Sequence, residues 1–317
     1  MASRPRSRRL RRTLLTALVI ASVAVPTAGA ARPAAVPAPP PPALGPLAPA
    51  TTATLDARYA TNRDAALAAA RTAADYGDRK RAAALRAMAG PARQLLSFDG
   101  RDGGRSVEVV GDLARADRVA VLVPGSDTAL GSRRLRDGAV ALQRQAGERS
   151  AVLAWLGYAT PATASAAALT PGRADEAAPE LRAFVREMRA AKPAARITLL
   201  CHSYGSVVCA DAAHGLPADA LVLYGSPGTG ADSAADLRTR ATVWAGRGAA
   251  DWIAHVPHLR LPLPFGELGF GTDPLDPEFG ARVFDAGTGG HSDYLAPGSV
   301  PLANLARIVQ GREPTHA

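Results

Sequence analysis

The sequence has few cysteines, few lysines and no apolar run long enough to cross a membrane. Only two cysteines occur, Cys201 and Cys209, and no cluster of metal-ligating residues accompanies them. The lysines are Lys80 and Lys192 alone, and no glycine-rich loop closed by a lysine follows an apolar run. That excludes a phosphate loop and nucleotide handling of that type. No nucleic-acid module is recognisable. The longest N-terminal apolar run, Leu14 to Val25, falls well short of the roughly 20 residues a spanning helix needs.

That short run follows Arg4, Arg6, Arg8, Arg9, Arg11 and Arg12, and leads to Pro26-Thr27-Ala28-Gly29-Ala30. A basic stretch, an apolar core and small residues at the cleavage position predict a signal peptide over 1–30 and an exported protein, possible cell-wall association included. Arg11-Arg12-Thr13-Leu14-Leu15 resembles a twin-arginine signal, although leucine precedes it, so both export routes stay open. Cleavage removes six arginines and no acids, taking the formal charge from +9 to +3. The high pI is therefore partly a targeting property. It gives no ground for nucleic-acid binding or stable membrane insertion. Residues 31–50, with Pro39-Pro40-Pro41-Pro42, are predicted to form a disordered Pro/Ala linker.

Residues 51–95 are alanine-rich with interleaved charges. Two helices are expected there, near 55–75 and 78–90, with Gly77 at the break and Pro91 beyond. From 96 to 312 the rhythm changes to apolar strands alternating with helices. Strands are expected at 106–110, 118–123, 151–156, 197–201, 220–224, 241–245 and 281–284. Helices are expected at 133–148, 174–191, 204–214 and 302–310. Continuously apolar strands between helices predict an α/β fold with a mostly parallel, doubly wound sheet, here behind an N-terminal helical layer. Sites in such sheets lie beyond the carboxyl ends of the strands. Residues 253–279 break the rhythm and read as a lid or binding loop.

Within this pattern, Cys201-His202-Ser203-Tyr204-Gly205 sits between an apolar strand and a helix. That is the layout of a nucleophile elbow, with cysteine where the first glycine is usual. A serine hydroxyl needs an imidazole to take its proton and a carboxylate to fix the imidazole. The expected order is Ser, then Asp or Glu, then His. His291, in a glycine-flanked loop after the last strand, is the candidate base. His202 adjoins the serine but is expected to point away. His214 falls on or beyond the helix, His255 and His258 in the irregular loop, and His316 in the tail. Asp251, past the strand 241–245, is the candidate acid, with a helix N-cap as the alternative. Asp285 is a rival, and Asp219 lies at the wrong edge of the sheet. The oxyanion donors expected are the backbone N–H of Tyr204 and that of Ser126 or Gly125. Tyr158, Leu261, Leu263, Phe265 and Phe270 are candidates for an acyl pocket, with plain core packing as the alternative for each. Cys201 and Cys209 are spaced to brace the elbow by a disulfide; two buried thiols are the alternative.

These segments, together with Val121-Leu122-Val123-Pro124-Gly125, the run from Gly271 to Gly280 and His291-Ser292-Asp293-Tyr294-Leu295, resemble an actinobacterial α/β-hydrolase family of unassigned function. Its members are similar in outline to esterases, lipases and cutinase-like enzymes. The resemblance implies an α/β-hydrolase fold and a Ser203–Asp251–His291 triad. The reaction expected is hydrolysis of a small or lipid-like carboxylic ester through an acyl-enzyme, by a monomer without metal or cofactor. The competing reading is a non-catalytic binding or cell-envelope protein on the same scaffold.

Overall fold

The computed structural model describes residues 36–47, 49–263 and 266–315. The signal-peptide reading of 1–30, His316 and Phe265 lie outside them. Two helices open the described fold. α1 (Thr52–Asp75) starts at Thr51, whose hydroxyl accepts from the Thr54 N–H while the Thr54 side chain answers to Thr51. α2 (Arg79–Met88) starts at Asp78, which accepts from the Arg81 N–H. Both caps satisfy N–H groups that a helix leaves open at its start.

The next element departs from the sequence reading. Residues 94 and 95, taken as the end of the helical segment, begin β1 (Gln94–Asp99), which pairs antiparallel with β2 (Arg105–Val110). The register shifts between Leu95 and Ser97. The Leu96 carbonyl accepts instead from Arg58 Nε and Asn62 Nδ2 on α1. Alanines 66, 69, 70 and 73 of α1 then pack with Ala82 and Leu85 of α2 and with Leu95 and Phe98 of β1. The helical layer therefore covers the edge strand, the part of a sheet most prone to unwanted pairing.

The remaining strands of the main sheet are β3 (Arg118–Val123), β4 (Ser150–Leu156), β5 (Arg196–His202), β6 (Ala220–Tyr224), β7 (Thr242–Gly246) and β10 (Arg282–Val283). The order is β1-β2-β4-β3-β5-β6-β7-β10. β2 is antiparallel to both neighbours, and every pairing from β4 to β10 is parallel. Parallel strands need crossover helices, and these cover both faces. Val119, Val121, Ile197 and Leu199 face α4 (Gly172–Ala191) and α5 (Gly205–Ala212). Ala120, Leu122 and Leu200 face α3 (Arg133–Ala146) and α6 (Val300–Val309). The architecture is that of an α/β-hydrolase. Burial on both faces is why these strands read as unbroken apolar runs.

The irregular stretch 253–279 contains a small hairpin, β8 (Leu261–Leu263) with β9 (Gly266–Leu268). No helix among the described residues is long and apolar enough to cross a membrane.

Candidate active site

β5 ends in a tight turn. Ser203 has φ 52°, a left-handed conformation unusual for a residue with a Cβ. Its N–H donates to the Tyr224 carbonyl at 3.0 Å, which holds the turn, and α5 begins at Gly205. A Cβ at Gly205 would stand 2.5 Å from the Val123 carbonyl oxygen, and one at Gly125 2.6 Å from Ser203 Cβ. Both positions therefore require glycine, so that β3, its following loop and the elbow can close on one another.

Cys201 lies two residues before the serine on the face of β5 that meets α5. Cys209 sits on α5, and the two are joined in a disulfide with Cα atoms 6.3 Å apart. Both residues are fully buried. The cysteine that departs from the usual elbow glycine is thus one end of a bridge tying strand to helix. Replacing both cysteines by alanine should cost about 2.5 kcal/mol through the freed unfolded chain alone. Urea unfolding of the double variant checks this: a midpoint equal to the wild type would show that the bridge does not stabilise the turn.

Three side chains meet at the carboxyl ends of β5, β7 and β10. His291 Nε2 is 2.9 Å from Ser203 Oγ. His291 Nδ1 is 2.9 and 3.0 Å from the two oxygens of Asp251. A carboxylate only accepts, so Nδ1 carries the proton and Nε2 is left to accept from the serine hydroxyl. Asp251 is 1% exposed, and Ser203 8%. Burial pushes the Asp251 carboxyl up. Hydrogen bonds from His291, the Tyr294 hydroxyl and the Ile253 N–H outweigh it and hold the group below the ordinary carboxylate range. The helix-cap alternative for Asp251 is therefore also true: Oδ1 caps the 3-10 turn Trp252–His255 while the same carboxylate faces His291.

Two supporting residues were not foreseen. Tyr294 donates its hydroxyl to Asp251 Oδ2 and accepts from the Gly248 N–H at 3.1 Å. His202 is expected from the sequence to point away from the serine. Its side chain is engaged with the base: Nε2–H donates to the His291 carbonyl at 2.8 Å. Its ring lies 4.7 Å from the His291 ring and 5.0 Å from that of Tyr224. Burial first, and the neighbouring His291 second, push its pKa down to about 3, so it stays a neutral donor. A signal existed for both, because each adjoins or closely follows a residue already singled out. Neither spacing nor composition shows what such a side chain will touch.

The other candidates fall as follows. Asp219 pairs with Arg189 and accepts from the Ile197 N–H, at the opposite end of the sheet. Asp285 accepts from the Gly287 N–H within its own loop. His214 is exposed; His255 Nδ1 contacts the Trp252 carbonyl, and His258 Nε2 lies 3.7 Å from Asp273. The backbone N–H groups of Gly125, Ser126 and Tyr204 have no partner among the described residues. Tyr158 and Phe270 are buried, and with Tyr204 they form a continuous set of ring contacts. Tyr158 donates to the Pro124 carbonyl at 2.7 Å, supporting the loop after β3. Leu261 is exposed on the hairpin, and Leu263 lies in β8. Trp252 is half-exposed, with its ring 4.7 Å from that of His291.

The sequence pattern of the Alpha/beta hydrolase family matches residues 99–261, the stretch that carries β2 to β7 and the elbow. The chain belongs to this family. An uncharacterized protein of Mycobacterium tuberculosis is 30% identical over 256 residues, 68% of this chain and 38% of that protein. The chain thus spans well under half of that relative's length. An uncharacterized protein of Mycobacterium bovis is 32% identical over 186 residues, covering 51% of this chain and 70% of the relative. Among solved structures, a lidless α/β serine hydrolase from Xanthomonas campestris superposes with a TM-score of 0.44 at 20% identity, over 70% of this chain and 94% of the other. Esterase PE8 gives 0.44 at 16% identity, over 65% and 98%. Family membership and fold together make the chain an α/β-hydrolase.

Proposed function

We propose that the protein is an exported serine hydrolase that cleaves carboxylic esters. The observation that carries this reading is the hydrogen-bonded line Ser203–His291–Asp251 at the carboxyl ends of the strands. In the proposed reaction Ser203 Oγ attacks the ester carbonyl carbon as its proton passes to His291 Nε2. Asp251 holds the imidazole in the accepting tautomer and stabilises the imidazolium that forms. Negative charge developing on the carbonyl oxygen is met by the Tyr204 N–H and by that of Ser126 or Gly125. As the tetrahedral centre collapses, His291 returns the proton to the departing alcohol oxygen and leaves an acyl-serine. Water, deprotonated by the same imidazole, then releases the acid and restores Ser203.

His202 and Tyr294 act as positioning residues in this scheme. One fixes the backbone of the base, and the other fixes the carboxylate. Export is supported by the N-terminal pattern and by a buried disulfide, a bond at home in oxidising compartments.

Purified protein offered p-nitrophenyl esters of graded chain length should turn over at least the short ones. Folded protein that turns over none of them would instead favour a binding protein on this scaffold.

A further inference from the structure

The charge distribution around His291 bears on which ester is cleaved. A cavity of about 90 Å³ lies against His291, between the loop after β3, the start of α3 and the segment His291–Leu295. Arg134 lines it, and none of the residues around it is acidic. His202, the other basic group beside His291, is held neutral by its burial. Thr128, Ser132 and Ser292 also line it. The volume holds several waters or one small oxyanion group.

Arg134 stands where a helix does not favour a cation. It occupies the first turn of α3, which contains no acidic residue. The partial positive charge of a helix start disfavours an arginine there. Its neighbour Arg136 is paired with Glu108, a carboxylate that Arg93 also holds. Arg134 has no ion pair among the described residues: its guanidinium donates to the uncharged Ser292 Oγ at 2.8 Å. Asp127 accepts from the Thr163 N–H and Asp293 from the Gly290 N–H, while Asp137, exposed three residues further along α3, has no ion pair among the described residues. An exposed guanidinium therefore uses one of its five donors, and the helix start behind it adds to the same positive potential.

Resting on the hydrolase reading above, we infer that Arg134, with Ser292, forms a subsite for an anionic group, a carboxylate or sulfonate, on the alcohol side of the ester. The alcohol side follows from the chemistry. His291 must hand its proton to the departing oxygen, so the leaving group lies against His291, the one residue of the three that also lines the cavity. Arg134 sets specificity in this scheme and takes no part in bond making.

The test compares two acetyl esters of para-substituted phenols: 4-acetoxybenzoate, which is anionic, and 4-acetoxybenzamide, which is neutral. The quantity read is the ratio of their kcat/KM values, wild type against Arg134→Gln, so that the esters' intrinsic reactivities cancel. The ratio should fall about tenfold in the variant, as expected for losing one charge-assisted contact. Raising the salt concentration should lower the wild-type ratio in the same direction. A ratio unchanged by Arg134→Gln would overturn the subsite. So would an Arg134-dependent preference that appears only when the charge is moved to the acyl side, as in a monophenyl succinate. Failure to hydrolyse either ester would count against the hydrolase reading itself, a distinct outcome.

Discussion

Ser203→Ala should lower kcat/KM for a short p-nitrophenyl ester by roughly 10⁴-fold or more while leaving the fold unchanged. A loss of that size corresponds to about 5.4 kcal/mol of transition-state stabilisation. The reason the fold should survive is local. What holds the elbow is the Ser203 N–H bonded to the Tyr224 carbonyl, and alanine keeps that group. Alanine and serine tolerate a φ of 52° equally poorly, so the substitution adds no backbone strain. The side chain's own hydrogen bond is to His291 Nε2. Circular dichroism and the unfolding midpoint check the fold, and initial rates check the chemistry. A variant that keeps even a tenth of the wild-type rate would show that another group attacks the ester.

Asp251→Asn should cost on the order of 10⁴-fold in kcat. Asp251 accepts from His291 Nδ1, from the Tyr294 hydroxyl and from the Ile253 N–H, which together engage both of its oxygens. Asparagine offers one acceptor oxygen and one donor NH₂. Its oxygen fits the position facing the Ile253 N–H, which puts the NH₂ where Oδ2 now faces Tyr294 and lies 3.0 Å from His291 Nδ1. An NH₂ facing Nδ1 favours the tautomer that carries its proton on Nε2. That nitrogen then cannot accept from Ser203. The prediction is thus a lost proton acceptor with the three side chains still in place. Steady-state kinetics near neutral pH reads it, and a loss of less than tenfold would show that Asp251 does not control the tautomer.

Much of this arrangement was legible in the sequence, for physical reasons that differ by element. β3, β5 and β6 are buried on both faces, so their apolar runs announce them. The elbow was legible because a strand, a serine and a helix start must follow within a few residues, with glycine where the backbones touch. The Cys201–Cys209 bridge followed from the way such a turn brings strand and helix together. β1 was missed because Leu95 and Leu96 adjoin an alanine-rich helical stretch. What makes the segment a strand is pairing with β2 and the reach of Arg58 and Asn62 from α1, both non-local. The hairpin at 261–268 was missed for a related reason: two three-residue strands that pair only with each other leave no periodicity to read. His202 and Tyr294 show the same limit at the site. Their roles depend on contacts across 89 and 43 residues of chain, which no spacing rule reports.

The account turns on Ser203 being an activated nucleophile rather than a serine in a tight turn. Incubation with a fluorophosphonate, followed by peptide mass spectrometry, asks this directly. The account predicts one phosphonylated residue, Ser203, in the wild type, and labelling slowed strongly in His291→Ala. Folded protein that takes up no label at Ser203, or is labelled there as fast without His291, would contradict it.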